Sequence, residues 1–329
     1  MRCLKYQVNN QFKDFLPDPG DFELIHENIP PIKQGEFLVK AKFISTDPYL
    51  RSFANRSSVP YEQFGFQVGR VVESKHPDYP ATMNVVSHSG WRDYTVLNGD
   101  PDEIFNIKPY NAPVGNLPLS YAVGALGMPG MTAYLGLLEI CRPEAGEVVC
   151  VSSAAGAVGS LVGQIAKLQG CTVIGFAGTD AKVDMLRNEL KFDHAFNYKA
   201  TKDVKGAIRS VTHGIDCYFD NVGGTLSAQV MECMNENGRV AVCGSISLYG
   251  KNSSPRKKPH LPASVTGVSF SFTQWNLEQQ GAALAQLKTW IEQGKIQAKE
   301  TIVKGFEGLP NTFIGMLRGD YVGKTVVKV

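Results

Sequence analysis

A run of small residues at 154–159 (AAGAVG) has the spacing of a turn that can bind a diphosphate. It follows the pattern G-x-G-x-x-G, with alanine at the first glycine. In such turns the second glycine lets the backbone approach a pyrophosphate, and the third lets helix and strand pack closely. The N–H groups at the start of the helix then face the phosphates. The pattern predicts a dinucleotide site, and an ordinary tight turn between a strand and a helix is the alternative.

The residues after the next apolar run indicate which dinucleotide binds. An acidic side chain at this place holds the ribose 2′-hydroxyl of NAD. Here the segment Phe176–Lys182 reads FAGTDAK. Thr179 can donate a hydrogen bond, and Lys182 can meet a 2′-phosphate as a point charge. The segment favours NADP, while Asp180 keeps NAD open and Thr179 has the alternative role of a helix cap.

Two further loops contain side chains that suit a nicotinamide and a carbonyl group. Asn221–Gly224 (NVGG) and Cys243–Tyr249 (CGSISLY) each follow an apolar run that is typical of a strand. Loops at the carboxyl ends of parallel strands line the crevice where a dinucleotide lies. The Tyr249 phenol beside a nicotinamide could donate to a developing oxyanion. A plain turn at Asn221 and a structural role for Tyr249 remain the alternatives.

The elements that must position these loops alternate along the middle of the chain. Apolar runs at 148–151, 172–176, 195–198, 215–220, 239–243 and 266–272 predict strands, and segments of helical spacing lie between most of them. This alternation predicts an α/β fold with a doubly wound parallel sheet. Residues 1–121 have short β-rich runs and many turn residues, which favour a β-barrel or sandwich. The tail returns to β-like texture, so we expect residues 1–121 and 297–329 to form one discontinuous domain around a dinucleotide-binding domain at 122–296.

Composition excludes several classes of protein and site. The chain has 329 residues with 33 basic and 31 acidic side chains, a net charge of +2 that argues against nucleic acid or an anionic membrane as partner. We find no signal peptide and no membrane span. Seven scattered cysteines predict a reduced, cytoplasmic setting, and six dispersed histidines predict no metal site. The phosphate-binding P-loop and the Tyr-x-x-x-Lys pair of short-chain dehydrogenases do not fit either.

Seven blocks along nearly the whole chain are similar to one family. They are Asp47–Arg51 (DPYLR), Gly127–Tyr134 (GMPGMTAY), Ala154–Ser160 (AAGAVGS), Phe196–Lys199 (FNYK), Tyr218–Gly224 (YFDNVGG), Cys243–Tyr249 (CGSISLY) and Gly323–Thr325 (GKT). Together they resemble the zinc-free medium-chain dehydrogenase/reductase superfamily, and within it the leukotriene B4 12-hydroxydehydrogenase / 15-oxoprostaglandin 13-reductase group.

The resemblance implies a Rossmann domain with a GroES-like β-barrel domain, the cofactor NADPH and a homodimer. It implies hydride transfer to the β-carbon of small-molecule α,β-unsaturated ketones and aldehydes, such as 15-oxoprostaglandins and 2-alkenals, and a possible second reaction at the leukotriene B4 12-hydroxyl. It also places the site residues. The pyrophosphate would meet Ala155, Gly156, Ala157, Val158 and Gly159, and the adenosine ribose Thr179, Lys182 and Tyr198. The nicotinamide half would meet Asn221, Cys243, Gly244, Ser245, Ile246, Ser247, Tyr249, Phe270, Ser271 and Phe272, and the substrate Tyr49 and Met128. Tyr249 is the catalytic candidate.

The chain departs from the group's pattern at several places. Tyr321 stands where such proteins often have an asparagine that contacts the cofactor, so the contact expected of this position is in doubt. Segments 84–100 and 251–262 also diverge. The basic run Arg256–Lys258 could attract a carboxylate-bearing lipid or could be a solvated loop. A quinone oxidoreductase, a hydroxy-eicosanoid dehydrogenase and a non-catalytic NADPH-binding protein remain the alternative functions.

Overall fold

The structure is a computed structural model that describes residues 2–250 and 261–329. The chain forms two compact units. Unit 1 contains the chain up to Gly124, together with Glu300–Tyr321 and Thr325–Val329. Unit 2 contains Ala125–Lys299 and Val322–Lys324. The basic run Arg256–Lys258 lies outside the described residues. Within the described ranges, no helix has both the length and the apolar character needed to cross a bilayer.

Sixteen strands and eight α-helices are described. The strands are β1 Arg2–Val8, β2 Phe22–Asn28, β3 Phe37–Ser45, β4 Tyr61–Glu62, β5 Gln67–Ser74, β6 Asn84–Ser87, β7 Tyr94–Leu97, β8 Tyr110–Asn111, β9 Val148–Val151, β10 Thr172–Ala177, β11 His194–Asn197, β12 Ile215–Asp220, β13 Met234–Val242, β14 Thr266–Ser269, β15 Glu300–Lys304 and β16 Lys324–Lys328. The helices are α1 Tyr49–Ala54, α2 Met128–Leu135, α3 Gly159–Leu168, α4 Asp180–Asn188, α5 Val204–Arg209, α6 Gly224–Met231, α7 Leu277–Glu292 and α8 Leu309–Arg318.

Unit 1 is built on antiparallel strands in a barrel-like arrangement. Its larger sheet has the order β15-β16-β3-β5-β6-β8, with β7 also paired to β3, and its smaller sheet has the order β2-β1-β4. The central strand β3 is buried along most of its length. Phe37 and Val39 of this strand are buried with Val71, Val85 and Tyr79 in one cluster. The antiparallel barrel-like fold predicted for this part of the chain is confirmed.

Unit 2 is built on six parallel strands in the order β11-β10-β9-β12-β13-β14. Val149, Cys150 and Val151 of the central strand β9 have no exposed surface, because the sheet is covered on both faces. The chain runs outward from β9 to β11 and then crosses back to β12, so the strand order reverses between β9 and β12. Dinucleotides bind at such a reversal, outside the carboxyl ends of the strands. The predicted Rossmann sheet is confirmed.

The structure differs from the sequence prediction in the tail and at the last strand of unit 2. The tail contains helix α8, whereas its β-rich composition leads us to predict strands there. Its apolar residues Leu309, Phe313 and Leu317 recur every four residues and are buried, and Gly319 ends the helix in a left-handed conformation. Strand β14 ends at Ser269 rather than Phe272, because Ser271 caps a short 3₁₀ turn.

Candidate active site

The turn between β9 and α3 is tight and fixed by the backbone. Ala154 N donates to Phe176 O of β10 at 2.9 Å, and Gly323 N donates to Ala155 O at 2.8 Å. A Cβ atom on Gly159 would lie 2.4 Å from Ser153 O, so a larger residue does not fit there. The third glycine of the pattern therefore allows the close approach of helix and strand that the sequence predicts.

The start of helix α3 has hydrogen-bond donors available to an anion. Val158, at the N-cap, makes no side-chain capping bond. Among the described residues, the N–H groups of Val158 and Gly159 have no hydrogen-bond acceptor. Unpaired donors at a helix N-terminus, with the favourable helix dipole, suit a diphosphate. The residues present at this turn therefore fit the pyrophosphate of a dinucleotide.

The end of β10 presents an uncharged cap and an aromatic ring. Thr179 caps α4, since its Oγ1 accepts a hydrogen bond from Lys182 N at 3.3 Å. The hydroxyl proton of Thr179 is not used in this bond and can still be donated to a ligand. Asp180 Oδ1 accepts from Asn197 Nδ2 at 2.7 Å. Tyr198 is 40% exposed, and its ring lies beside Gly178. Thr179, Lys182 and Tyr198 thus gather at the position where a ribose 2′-phosphate is predicted.

The end of β12 is organised by a buried carboxylate, Asp220, which the sequence interpretation did not single out. A single oxygen, Oδ1, accepts hydrogen bonds from Ser227 Oγ (2.7 Å), Tyr218 Oη (2.9 Å), Val222 N (3.0 Å), Gly223 N (3.0 Å) and Ser152 Oγ (3.1 Å). Its other oxygen, Oδ2, is buried and accepts none from the described residues. The charge of Asp220 therefore holds the Asn221–Gly224 turn against β9 and α6.

Asn221 is held by the same network. Its side-chain Nδ2 donates to Ser152 O at 2.7 Å, and its backbone N donates to Ser152 Oγ at 2.9 Å. Asn221 therefore lies at the carboxyl ends of β9 and β12, where the strand order reverses. Its Oδ1 is the atom that can accept a hydrogen bond from a carboxamide, which is the interaction that the sequence predicts on the nicotinamide side.

The loop after β13 folds back over the same place. Cys243 N and Gly244 N donate to Asp220 O at 2.9 and 3.0 Å, and Ser247 N donates to Val222 O at 3.1 Å. Residues Ile246–Leu248 form a 3₁₀ turn, and Tyr249 N closes it on Ile246 O at 3.2 Å. The predicted loop residues Cys243, Gly244, Ser245, Ile246 and Ser247 are thus brought next to Asn221.

Tyr249 is half-buried, and its ring returns over the loop that precedes it. Its hydroxyl lies 3.3 Å from the point that a Cβ atom on Gly244 would occupy. The pKa of the nearby Cys243 thiol is raised to about 12 by burial of the thiol and by the negative charge of Asp220. Cys243 therefore remains a neutral thiol at physiological pH. The thiol of Cys243 and the phenol of Tyr249 thus belong to the same loop, in which the phenol lies beside Gly244.

Three predicted residues follow β14, whose last residue, Ser269, pairs with Val242, the residue before the Cys243 loop. Phe270 packs against Phe219 and Trp275, with ring centroids 5.9 and 5.8 Å apart, and Phe272 is buried, so both rings belong to the core of unit 2. Ser271 is exposed and caps the turn that follows.

Met128 begins α2, and its carbonyl accepts from Thr132 Oγ1 at 2.8 Å. Tyr321 is half-buried in unit 1, where its ring lies against Gly315 of α8; a Cβ atom there would be 2.9 Å from the ring. The ring of Tyr321 therefore packs onto a helix of its own unit, as an aromatic side chain that needs an apolar surface does.

Tyr49 begins α1 in unit 1 and lies in a group that sequence reasoning missed. Its hydroxyl is 3.0 Å from Nε2 of His88, and Nδ1 of His88 is 3.4 Å from Oδ1 of Asp102. The three residues are far apart in sequence, and no spacing rule joins them. Among residues 2–250 and 261–329, no three His, Cys, Asp or Glu side chains form a group that could hold a metal ion.

Comparisons with known proteins agree with this geometry. A family model described as "N-terminal domain of oxidoreductase" matches residues 6–106, and one described as "Zinc-binding dehydrogenase" matches residues 157–286. The chain is 44% identical over 313 residues to "Prostaglandin reductase 1" of Oryctolagus cuniculus, which covers 94% of this chain and 88% of the relative. It is 35% identical to the "NADPH-dependent curcumin reductase" of Escherichia coli K12, covering 95% of this chain and 93% of that one.

A solved structure, CurA of Vibrio vulnificus in complex with NADPH, superimposes with a TM-score of 0.88 at 34% identity and covers 99% of each chain. The structural similarity therefore extends over both units, and it includes the turn and the loops of the candidate site. Because the resemblance holds along the full length at this level of identity, the chain belongs to the prostaglandin reductase 1 group of the medium-chain dehydrogenase/reductase superfamily.

Proposed function

We propose that this chain catalyses the NADPH-dependent reduction of the C=C bond of α,β-unsaturated ketones and aldehydes, including 15-oxoprostaglandins and 2-alkenals. The observation that carries the proposal is the full-length identity of 44% to a protein named for prostaglandin reduction. The relative from E. coli, named as NADPH-dependent, and the NADPH complex of CurA support the same cofactor.

The residues of unit 2 would bind and orient the cofactor. The N–H groups of Val158 and Gly159 would hold the pyrophosphate, and Lys182 with Tyr198 would meet the 2′-phosphate and the adenosine ribose. Asn221 would accept from the carboxamide, because its amide is already fixed by Ser152 at 2.7 Å. When bound, NADPH supplies the hydride. The chain's own contribution at this stage is to fix the distance and angle of transfer.

Tyr249 is the proposed catalytic residue. As the β-carbon of the enone accepts hydride, charge builds on the carbonyl oxygen as an enolate. The phenol of Tyr249 would donate a hydrogen bond to that oxygen or fix the ribose hydroxyl that does so. A preorganised donor of this kind typically contributes about 3 kcal/mol to the transition state. Protonation at the α-carbon then gives the saturated carbonyl product. Tyr49 and Met128 are the residues that we propose to face the substrate.

The test is a comparison of three substrate classes with one purified protein. NADPH consumption is followed by absorbance with trans-2-nonenal, with a 15-oxoprostaglandin and with a quinone, and the products are identified by mass. We expect oxidation of NADPH with the first two, and products with two added hydrogens at the C=C bond. Oxidation with the quinone alone would assign the chain to quinone reduction. NADPH binding without turnover of any substrate would make it a non-catalytic binding protein.

We propose oxidation of the leukotriene B4 12-hydroxyl as a second reaction of the same site, which would appear as reduction of NADP⁺ on adding that alcohol. We also infer a homodimer, because the group resemblance implies one; light scattering after gel filtration measures its mass, and a monomer at micromolar concentration would contradict it.

We infer a cytoplasmic location from the thiols. All seven cysteines are unpaired, and six of them are buried. Free thiols persist in a reducing compartment. Fractionation of cells that express the chain tests this, and recovery in a secreted or membrane fraction would contradict it.

A further inference from the structure

Ser153 of unit 2 lies between β9 and the glycine turn in a strained backbone conformation. Its φ is 50°, in the left-handed region that residues other than glycine rarely adopt. The peptide groups on both sides of Ser153 hold it there. Ser152 N donates to Phe219 O of β12 at 3.2 Å, on one side. Ala154 N donates to Phe176 O of β10 at 2.9 Å, on the other. Backbone strain that neighbouring strands fix in this way is concentrated at functional sites.

The hydroxyl of Ser153 is available to a ligand. The residue is exposed, and within residues 2–250 and 261–329 its Oγ makes no hydrogen bond. The preceding Ser152 differs, since it is buried and its Oγ donates to Asp220 Oδ1 at 3.1 Å. A serine hydroxyl can donate one hydrogen bond and accept two. The strained conformation thus presents a donor that the described part of the chain does not use.

The Ser153 hydroxyl lies beside Gly156, the glycine of the pattern that a pyrophosphate approaches. The point that a Cβ atom on Gly156 would occupy is 3.2 Å from both Oγ and O of Ser153. Beyond Gly156 and its two chain neighbours, no other atom of the described residues lies within 4 Å of that point. The space over Gly156 is therefore open on all sides but that of Ser153.

The two oxygens of Ser153 differ in what they can offer an anion in this space. The carbonyl oxygen already accepts from Gly156 N at 3.0 Å and carries no proton. The hydroxyl can rotate its proton towards a phosphate oxygen. Such a bond to a charged acceptor is roughly twice as strong as one between neutral groups. The hydroxyl is therefore the group of Ser153 that suits a phosphate over Gly156.

We propose that the Ser153 hydroxyl donates a hydrogen bond to the pyrophosphate of NADPH. The inference rests on the proposed function, in which the pyrophosphate lies at this turn and meets the N–H groups of Val158 and Gly159. Those two donors belong to the start of helix α3, whereas Ser153 follows strand β9. Because NADPH and NADH have the same pyrophosphate, Ser153 contributes to the affinity for both and does not discriminate between them.

Titration of Ser153→Ala with three ligands tests the bond. Alanine removes the hydroxyl and adds no bulk, so the Kd for NADPH and the Kd for NADH should each rise about tenfold. Adenosine 2′-monophosphate has the adenosine and the 2′-phosphate but no pyrophosphate, and its Kd, measured by calorimetry, should not change. A wild-type Kd for NADPH, or an equal loss of affinity for adenosine 2′-monophosphate, overturns the proposal.

Ser153→Gly separates the hydroxyl from the backbone strain. Glycine also lacks the hydroxyl, but it adopts a φ of 50° without steric cost. If the hydroxyl binds the pyrophosphate, Ser153→Gly should raise the Kd for NADPH by the same factor as Ser153→Ala. If Ser153→Gly binds NADPH as tightly as the wild type, the backbone and not the hydroxyl determines the affinity, and the proposal fails. Ser153→Gly also carries the test if Ser153→Ala does not fold.

Ser210→Ala is the matched control. The exposed Ser210 hydroxyl donates to Ala207 O at 2.7 Å at the end of α5, so its removal should leave all three Kd values unchanged. Wild-type protein that does not bind NADPH overturns the proposed cofactor site and the inference with it. Wild-type binding that Ser153→Ala leaves unaltered overturns the inference alone. Binding as expected without reduction of any enone would overturn the proposed reaction and still support the role of the hydroxyl.

Discussion

Two glycines of the β9–α3 turn should respond in opposite ways to the same substitution. A Cβ atom on Gly159 would lie 2.4 Å from Ser153 O and 2.9 Å from Ala154 Cα, both backbone atoms that cannot rotate away. A Cβ atom on Gly156 would lie 3.2 Å from Ser153 O and Oγ, which a shift of a few tenths of an ångström relieves. Gly159→Ala should therefore damage the fold, and Gly156→Ala should damage cofactor binding alone.

The magnitudes follow from these distances. The contact of a Cβ on Gly159 with Ala154 Cα, at 2.9 Å, is well inside the usual separation of about 3.5–4 Å between carbon atoms, and overpacking of this kind costs about 1–3 kcal/mol. In a folding unit of the size of unit 2 that corresponds to a fall in Tm of about 3–8 °C. Gly156→Ala should change Tm by no more than about 2 °C, since the reduced freedom of the unfolded chain offsets the small strain. Its methyl group would meet the pyrophosphate and raise the Kd for NADPH at least about tenfold, or about 1.4 kcal/mol.

Thermal unfolding without cofactor and fluorescence titration with NADPH measure the two effects separately. If the Gly156→Ala variant binds NADPH with wild-type affinity, the pyrophosphate does not lie against Gly156. Gly159→Ala with a wild-type Tm would show that the backbone of the turn moves easily, and the argument from close packing would fail.

Four other changes test the rest of the site. Tyr249→Phe should lower kcat about 100-fold with little change in the Kd for NADPH, and unchanged turnover would remove Tyr249 from the chemistry. Lys182→Ala should raise the Kd for NADPH about tenfold and leave the Kd for NADH nearly unchanged, which titration with each dinucleotide measures. Equal losses of affinity for both would show that Lys182 does not contact the 2′-phosphate. Asp220→Ala should cost about 3 kcal/mol in denaturant unfolding, because five buried donors lose their acceptor, and a loss under 1 kcal/mol would refute that role. Partial burial works to raise the pKa of Glu147, but hydrogen bonds from Arg239, one of them at 2.9 Å, hold it below its ordinary 4.5. The stability advantage of wild type over Glu147→Gln should therefore be full above about pH 4.5 and shrink as pH falls further; a constant difference across that range would contradict it.

The sequence predicts the parts of this molecule that depend on neighbours along the chain. The β9–α3 unit follows from a continuous apolar run, small residues at fixed spacing and apolar residues at helical intervals. The loops that contain Asn221 and Tyr249 are predictable because they follow such runs, and parallel strands bring their carboxyl ends to one edge of the sheet.

What the sequence does not predict depends on contacts between distant segments. His88 lies 39 residues from Tyr49 and is one of six scattered histidines, so only the folded barrel-like unit shows that their side chains meet. In the sequence Asp220 is an ordinary polar residue at the end of a strand, and only the structure shows the five hydrogen-bond donors that surround its carboxylate. Helix α8 is missed because its short apolar stripe is flanked by the strands of the tail, whose β-rich texture dominates the local composition.

The enclosure of the thiols has a chemical consequence for an enzyme of this proposed kind. α,β-Unsaturated carbonyl compounds alkylate cysteine, and the thiolate is the reacting species. Six of the seven cysteines are buried, and the remaining one, Cys243, has a pKa raised to about 12 close to the proposed catalytic tyrosine. The thiol beside the proposed reaction centre is thus kept protonated where electrophile would be most concentrated. We therefore expect slow alkylation of Cys243 by the molecules that the chain is proposed to reduce.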